Sequence, residues 1–127
     1  MKKLFLTLAI GLSVLLSYAQ SEFAKATVVT LATKNETTGK FDWGQPQYVD
    51  EVLVKIDKVA VTIYSKITQQ YFIYTNGEEI TNGMFWYAYD KDGQRCRVYL
   101  MTNDVGDPFI LIEYASVAWM YNLIDVE

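Results

Sequence analysis

A chain of 127 residues has the length of a single domain, and its 15 acidic and 11 basic side chains give a formal net charge of −4. This acidic balance argues against nucleic acid or an anionic membrane surface as a partner. The chain contains no histidine, which removes the usual general base, the commonest zinc ligand and the Ser–His nucleophile pair. We therefore predict that the protein is not an enzyme and has no catalytic, cofactor-binding or metal-binding residues.

The start of the chain has the three regions of a secretory signal peptide. Two lysines precede an apolar stretch at residues 4–16, and the small residues Ser17 and Ala19 then mark a cleavage site. We therefore interpret residues 1–19 as a signal peptide and residues 20–127 as a single all-β domain. We expect this domain to be periplasmic or secreted, with no stable membrane insertion after cleavage. It keeps nine basic and 15 acidic side chains.

The remaining sequence alternates runs of β-branched and aromatic residues with short polar turns, the pattern of antiparallel strands. A polar lead at residues 21–25 is followed by a predicted strand at residues 26–33. An irregular crossing then includes Pro46, which cannot donate a hydrogen bond to a neighbouring strand. Trp43 and Phe41 in this crossing are expected to plug one end of the core.

Residues 48–65 form the clearest predicted hairpin, with Asp57-Lys58 as a two-residue loop. The apolar pairs on one face are then Ile56–Val59, Val54–Val61 and Val52–Ile63. A slip of one residue would mix apolar with polar side chains, so the alternation favours this register.

The next predicted strand covers residues 69–75, with apolar or aromatic side chains on both faces. Asn76-Gly77 and Asn82-Gly83 are strong turn signals because both residue types tolerate positive φ. We interpret residues 78–81 between them as a loop with at most brief strand pairing.

Residues 84–101 predict a second hairpin around the turn Asp90-Lys91-Asp92-Gly93. A plain loop would place Phe85, Tyr87 and Tyr89 beside the apolar residues of the second strand. A type I turn with Gly93 in a G1 bulge shifts the pairing by one residue. The inward residues are then Met84, Trp86, Ala88, Cys96, Val98 and Leu100. The outward residues are then Phe85, Tyr87, Tyr89, Arg95, Arg97 and Tyr99. We favour the bulge, because it places the arginines beside tyrosines on the solvent-exposed face of the hairpin.

The last predicted hairpin covers residues 109–114 and 117–123, joined near Ala115-Ser116. Its facing pairs are Ile112–Trp119 and Ile110–Tyr121. The whole pattern predicts an antiparallel meander of about eight strands, closed into a small barrel or folded as a two-layer sandwich.

Cys96 is the only cysteine, so no intrachain disulfide can form. We favour a buried small hydrophobe over the alternative, a reactive thiol activated by Arg95 and Arg97. Asp90-x-Asp92-Gly93 resembles the opening of a calcium loop. Positive residues follow where that motif needs oxygen ligands, so we interpret it as a turn.

The aromatic content, with ten tyrosines and three tryptophans, is the main functional signal. Tyrosine is enriched at positions such as protein interfaces, where its ring lies against apolar groups and its hydroxyl contacts water. We therefore predict a non-catalytic binding or protein-interaction module that contacts an unknown protein partner or itself. The alternative is a lipocalin-like carrier of a small apolar ligand, with a cavity lined by Trp86, Trp119 and Val98. The candidate interaction or ligand residues are Tyr87, Tyr89, Arg95, Arg97, Tyr99, Trp86 and Trp119.

Several stretches together resemble small exported all-β proteins of unknown function from Bacteroides-like bacteria. These stretches are Tyr48–Tyr64 with its Asp57 turn, Gln70-Tyr71, Asp90-x-Asp92-Gly93-x-x-Cys96-Arg97-Val98-x-Leu100, and Glu113-Tyr114 followed by Tyr121-Asn122-Leu123. The resemblance implies an exported β-domain and carries over no catalytic residue. The strand count is also similar to that of lipocalin barrels, although Phe41-Asp42-Trp43-Gly44 departs from their Gly-x-Trp signature.

Overall fold

The computed structural model describes residues 22–125, which form antiparallel strands with no helix in this range. The strands are β1 (Glu22–Lys34), β2 (Phe41–Trp43), β3 (Gln47–Ile56), β4 (Ala60–Tyr64), β5 (Gln69–Ile73), β6 (Glu78–Ile80), β7 (Gly83–Tyr89), β8 (Arg95–Thr102), β9 (Pro108–Glu113) and β10 (Val117–Asp125). A search of the described residues for a membrane-spanning helix finds none. The all-β prediction is confirmed, whereas the predicted signal peptide lies outside the described residues.

Eight of these strands close into a barrel in the order β1-β3-β4-β5-β7-β8-β9-β10. Closure comes from β10 pairing with β1, from Ala24↔Asp125 at one end to Thr33↔Val117 at the other. The short strands β2 and β6 are additions that pair with β1 and β7. The chain therefore adopts the barrel rather than the sandwich, and closure leaves the first and last strands without a free long edge.

Alternate side chains of each strand point into the barrel, as a two-residue period requires. Trp86 is the largest fully buried side chain, with 2% of its surface exposed. The aliphatic side chains with the least exposure are Val54, Val61, Ile63, Val98, Ile110 and Ile112. Buried side chains therefore fill the middle of the barrel, and Trp86 is the largest of them.

The β3–β4 hairpin has the predicted faces but a register that differs by two residues. Ile56 pairs with Val61, and Val54 pairs with Ile63. The predicted pairing of Ile56 with Val59 is wrong, and Val59 lies in the loop with 64% of its surface exposed. A shift of two residues keeps every apolar side chain on the same face, so alternation alone does not select between the two registers.

The turn itself selects the register of this hairpin. The Asp57 carboxylate Oδ1 accepts hydrogen bonds from the backbone N–H groups of Val59 and Ala60, both at 2.9 Å. The backbone N–H of Asp57 also donates to the carbonyl of Ala60 at 3.0 Å. This Asx turn makes Lys58-Val59 the two-residue loop in place of Asp57-Lys58.

The β7–β8 hairpin has the favoured bulged register, which is confirmed. Its inward pairs are Met84↔Leu100, Trp86↔Val98 and Ala88↔Cys96. Gly93 has a φ of +81°, and its N–H donates to the Asp90 carbonyl at 3.0 Å. The predicted pairs of the last hairpin, Ile112 with Trp119 and Ile110 with Tyr121, are also confirmed.

Two expectations about the irregular segments are corrected, and a third is confirmed. β1 begins at Glu22 rather than after a polar lead, because its first residues pair with β3 on one side and β10 on the other. Trp43 does not plug the core: it lies in β2, which extends the sheet outside the closed barrel, and 44% of its surface is exposed. The brief pairing allowed for residues 78–81 is present as the three-residue strand β6, with Asn82 at a φ of 67° in the turn to β7.

Candidate functional site

One end of the barrel contains an open cavity of about 580 Å³, and we call this end the mouth. The mouth lies where β1 and β9 end and β5 and β10 begin, beside the loop from β4 to β5 and the turn from β7 to β8. The apolar lining residues Leu31 and Ile67 are open to solvent, with exposed fractions of 49% and 81%. The deeper lining residues include Gln69, Tyr71, Asp90, Tyr114, Trp119 and Tyr121. The cavity therefore combines an apolar entrance with an aromatic and polar interior.

A hydrogen-bonded network around Gln69 joins β5 to β10 at the mouth. The Gln69 Nε2 atom donates to the Ser65 hydroxyl and to the Tyr121 hydroxyl, each at 3.0 Å. The Tyr71 hydroxyl donates to Gln69 Oε1. Both protons and the carbonyl oxygen of the amide are thus engaged. The network fixes the orientation of two tyrosines that line the cavity.

Asp90 forms the wall of the cavity on the side of the β7–β8 turn. Its Oδ1 atom accepts hydrogen bonds from the backbone N–H groups of Asp92 and Gln94, both at 2.9 Å. Its Oδ2 atom accepts a 2.6 Å hydrogen bond from the Tyr114 hydroxyl. The Tyr114 hydrogen bond is the main cause of a lowered Asp90 pKa, and the backbone N–H groups add to it. Asp90 is therefore a fixed negative charge at neutral pH.

Two tyrosines of the cavity, Tyr71 and Tyr114, are held in their neutral form. Burial is the main cause that raises the pKa of Tyr71 and of Tyr114 above the ordinary value of 10.0. At Tyr114 the hydrogen bond to Asp90 raises the pKa further, and at Tyr71 the neighbouring Tyr121 does so. These hydroxyls therefore act as hydrogen-bonding groups rather than as anions.

Trp119 lies between the tyrosines of this site. Its ring centroid is 5.4 Å from that of Tyr114, with 33° between the ring planes. The indole Nε1 atom is buried without a hydrogen-bond partner of normal geometry. It nevertheless lies near enough to the Tyr71 hydroxyl to oppose the rise in that pKa. Trp119 thus supplies mainly an aromatic surface.

The structure separates the three residues predicted to line a carrier cavity. Trp119 lines the mouth cavity, whereas Trp86 and Val98 belong to the packed core. Sequence reasoning missed Gln69 and Tyr121 as parts of the site. The predicted strand at residues 69–75 is apolar or aromatic on both faces, so alternation did not assign Gln69 to the interior. Nothing in the sequence placed Gln69 or Tyr121 at the open end.

Outward aromatic residues of β7 and β8, together with Tyr74 just after β5, form a second feature, which we call the aromatic face: Tyr74, Phe85, Tyr87, Tyr89 and Tyr99. The rings pack against one another, with centroid distances of 4.6 Å for Tyr74–Tyr89 and 5.4 Å for Phe85–Tyr99. Phe85 and Tyr87 meet edge to face at 5.6 Å. Tyr74, Tyr87 and Tyr89 are exposed. The predicted surface residues Tyr87, Tyr89 and Tyr99 are therefore brought together.

The two predicted arginines lie beside the aromatic face. Arg95 is exposed and pairs across the hairpin with Tyr89. Arg97 Nε lies 3.1 Å from Glu113 Oε1, which also accepts a hydrogen bond from the Tyr99 hydroxyl at 3.3 Å. Glu113 is a partner that sequence reasoning missed, because it comes from the neighbouring strand β9.

Cys96 points into the barrel and is buried, which confirms the favoured interpretation of a small core residue. Burial is the main cause that raises the pKa of its thiol from 9.0 to about 12, and the charge of Asp90 adds to the rise. The thiol is therefore protonated at neutral pH.

Among residues 22–125 there is no group of three or more acidic, cysteine or histidine side chains placed to hold a metal ion. Comparison of the chain with family models, with curated proteins and with solved structures gives no match.

Proposed function

We propose that this protein is an exported, non-catalytic β-barrel domain that binds a small molecule in the cavity at its mouth. The observation that carries the proposal is the cavity itself. Its volume of about 580 Å³ lies within the range of about 300–1,000 Å³ that is usual for small-molecule sites. Such sites combine apolar and aromatic walls with a few oriented polar groups, and the mouth has both.

The packed core limits where a ligand can lie. Trp86 and its aliphatic neighbours fill the middle of the barrel, so a ligand would occupy the mouth and rest on Tyr71, Trp119 and Tyr121. Leu31 and Ile67 would cover its outer part, and their present exposure leaves apolar surface that a ligand would remove from water. The proposal therefore favours a compact ligand over a long lipid chain.

Fluorescence titration with the neutral apolar dye N-phenyl-1-naphthylamine tests this function. Binding in the cavity should enhance the dye emission with saturation at one molecule per chain. Trp119→Leu should weaken binding about tenfold, because it removes the largest ring from the lining. Trp43→Leu is the matched control, since Trp43 is exposed in β2 and does not line the cavity.

Two results would contradict the proposal. One is an absence of saturable dye binding to the folded protein, and the other is equal weakening by Trp119→Leu and Trp43→Leu. Native mass spectrometry of protein purified from its host provides an independent measurement, with a retained small molecule as the supporting result.

Export is part of the same proposal and has its own test. The sequence pattern of residues 1–19 supports it. Intact-mass analysis of the protein from its host should give a mature chain that starts at Gln20. A chain that retains residues 1–19 would contradict the cleavage.

A second candidate function is self-association through the aromatic face. Exposed tyrosines beside Arg95 have the composition that is enriched at protein interfaces. Light scattering after size-exclusion chromatography should then give a dimer mass that Tyr87→Ser with Tyr89→Ser reduces to a monomer mass. A monomer at all concentrations would exclude this second function and would leave the cavity proposal intact.

A further inference from the structure

We propose that the mouth cavity selects organic cations, and quaternary ammonium groups in particular, over neutral or anionic molecules of the same shape. The inference rests on the proposed small-molecule function and names the ligand class. Three features of the lining carry it: its aromatic rings, its excess of carboxylates and the prior use of the hydrogen-bond donors of Gln69, Tyr71 and Tyr114.

Four aromatic side chains line one cavity: Tyr71, Tyr114, Trp119 and Tyr121. The faces of such rings carry partial negative charge and attract cations, most strongly at tryptophan. Sets of aromatic rings are the usual means by which proteins bind quaternary ammonium groups. Such a group has no N–H, so it needs no hydrogen-bond acceptor from the wall.

The charged lining residues have a net negative charge. Asp90 and Asp92 supply two carboxylates, and Lys91 supplies one ammonium group. Asp90 is held in place by the Tyr114 hydroxyl and by two backbone N–H groups, so its charge is fixed at the cavity wall. The Lys91 side chain is exposed and, within residues 22–125, forms no ion pair. Asp92 is exposed as well, so Asp90 is the carboxylate that hydrogen bonds hold at the wall.

Three side chains of the lining have donors that are already engaged, whereas the Trp119 indole N–H has no hydrogen-bond partner. Both Nε2 protons of Gln69 and the hydroxyl proton of Tyr71 are used within the network. The hydroxyl proton of Tyr114 is used by Asp90. A carboxylate or sulfonate that used one of these donors would break its hydrogen bond, and one bound at the Trp119 indole N–H would share the cavity with the negative charge of Asp90. Both conditions oppose anion binding.

The test compares three ligands of similar shape as competitors of the bound neutral dye at low ionic strength. Phenyltrimethylammonium is the cation, tert-butylbenzene is its neutral isostere, and benzylsulfonate is the anion. We expect the cation to bind about tenfold more tightly than the neutral isostere, which is the magnitude of a desolvated cation–π contact. The anion should compete least.

Variants that remove one negative charge test which carboxylate gives the cavity its preference for cations. Asp92→Asn should reduce the preference for the cation over tert-butylbenzene about threefold. Asp92 is the first choice because its carboxylate, unlike that of Asp90, does not hold the turn. Asp104→Asn removes the same charge from the loop between β8 and β9, outside the mouth, and should leave the preference unchanged.

The outcomes separate the inference from the function on which it rests. Equal or tighter binding of tert-butylbenzene or of benzylsulfonate overturns the cation preference and leaves a small-molecule site. Equal effects of Asp92→Asn and Asp104→Asn also overturn it, since the selectivity would then come from the net charge of the protein. Failure of the dye itself to bind overturns the proposed function.

Discussion

At the scale of single residues, Asp90 links the β7–β8 turn to the cavity wall. Its pKa is lowered in the folded protein, so the folded state favours the ionised carboxyl. Such a group contributes stability above its unfolded pKa and loses that contribution as the pH falls through the folded pKa. We expect Asp90→Asn to cost about 1 kcal/mol near pH 7, a value reduced because the carboxyl is partly open to solvent. Urea unfolding from about pH 7 to about pH 2 should show this cost shrink towards zero.

Tyr114→Phe is the matched variant for this prediction. It removes the hydroxyl that donates to Asp90 and leaves the carboxylate and the turn in place. The double variant should be less destabilised than the sum of the two single variants, because they share one hydrogen bond. A cost of Asp90→Asn that does not depend on pH would contradict the assignment of the hydrogen bond to the ionised form.

Cys96 should be inert in the folded protein. Its thiol pKa of about 12 leaves far less thiolate than an ordinary cysteine has, and its side chain is buried. We expect alkylation by iodoacetamide at pH 8 to be at least about 100-fold slower in the native protein than in guanidinium chloride. Comparable rates in the two states would show that the thiol is accessible.

The same raised pKa has a consequence in alkaline solution. Above pH 9.0 the unfolded thiol ionises while the folded thiol stays protonated, so stability should fall as the pH rises towards 12. Cys96→Ala is the variant that lacks this contribution. Its unfolding free energy should therefore depend less steeply on pH between about 9 and about 11.

At the scale of elements, the β3–β4 hairpin shows what fixes a register. Asp57→Ala removes the acceptor of two backbone N–H groups and should cost about 1 kcal/mol. Asp57→Asn keeps an Oδ1 acceptor and should cost much less, since the 3.8 Å contact with Lys55 is a partly exposed ion pair. Equal losses for the two variants, measured from urea midpoints, would assign the effect to charge instead.

The position of Val59 gives an independent check of that register. Val59 is in the loop and exposed, whereas Val61 is fully buried opposite Ile56. Val59→Ala should therefore change stability by less than about 0.5 kcal/mol. Val61→Ala should cost about 2 kcal/mol because it leaves a cavity in the core. Similar costs at both positions would favour the register in which Val59 faces Ile56.

The two hairpins also show how far sequence reasoning reaches at this scale. Alternation predicted the buried face of β3–β4, because a strand has a period of two residues. For β7–β8 the bulged register was favoured because it keeps the arginines with tyrosines, and the structure has this register with Gly93 at positive φ. Alternation alone left both registers of β7–β8 open. It missed the register of β3–β4, where two solutions share the same faces and only the Asp57 hydrogen bonds separate them.

At the scale of the whole molecule, the barrel depends on the pairing of β1 with β10, which are far apart in the chain. Native-state hydrogen exchange should therefore show the backbone amides of these strands exchanging only through global unfolding. The amides of β2 and β6 should exchange through local opening, because both strands are short and lie outside the barrel. Exchange from β1 at the rate of β2 would mean that the closure opens on its own.

The mouth cavity could not be predicted from the sequence, and the tryptophans show why. Trp86 and Trp119 both occupy inward positions of predicted strands, and the sequence pattern treats them alike. Their height along the barrel depends on strand tilt and stagger, which a two-residue period does not encode. The structure places Trp86 in the packed middle and Trp119 at the open end. The lining also comes from segments between Leu31 and Tyr121 that meet only when the barrel closes.

The closing pair of strands also sets the orientation of anything attached to this domain. Ala24 lies opposite Asp125 at one end of the barrel, whereas Leu31 and Trp119 lie at the other end, beside the cavity. A tether joined before Glu22 or after Asp125 therefore leaves from the side away from the cavity. Immobilisation through either tether would hold the cavity facing the surrounding solution, and a fused reporter would not obstruct ligand entry.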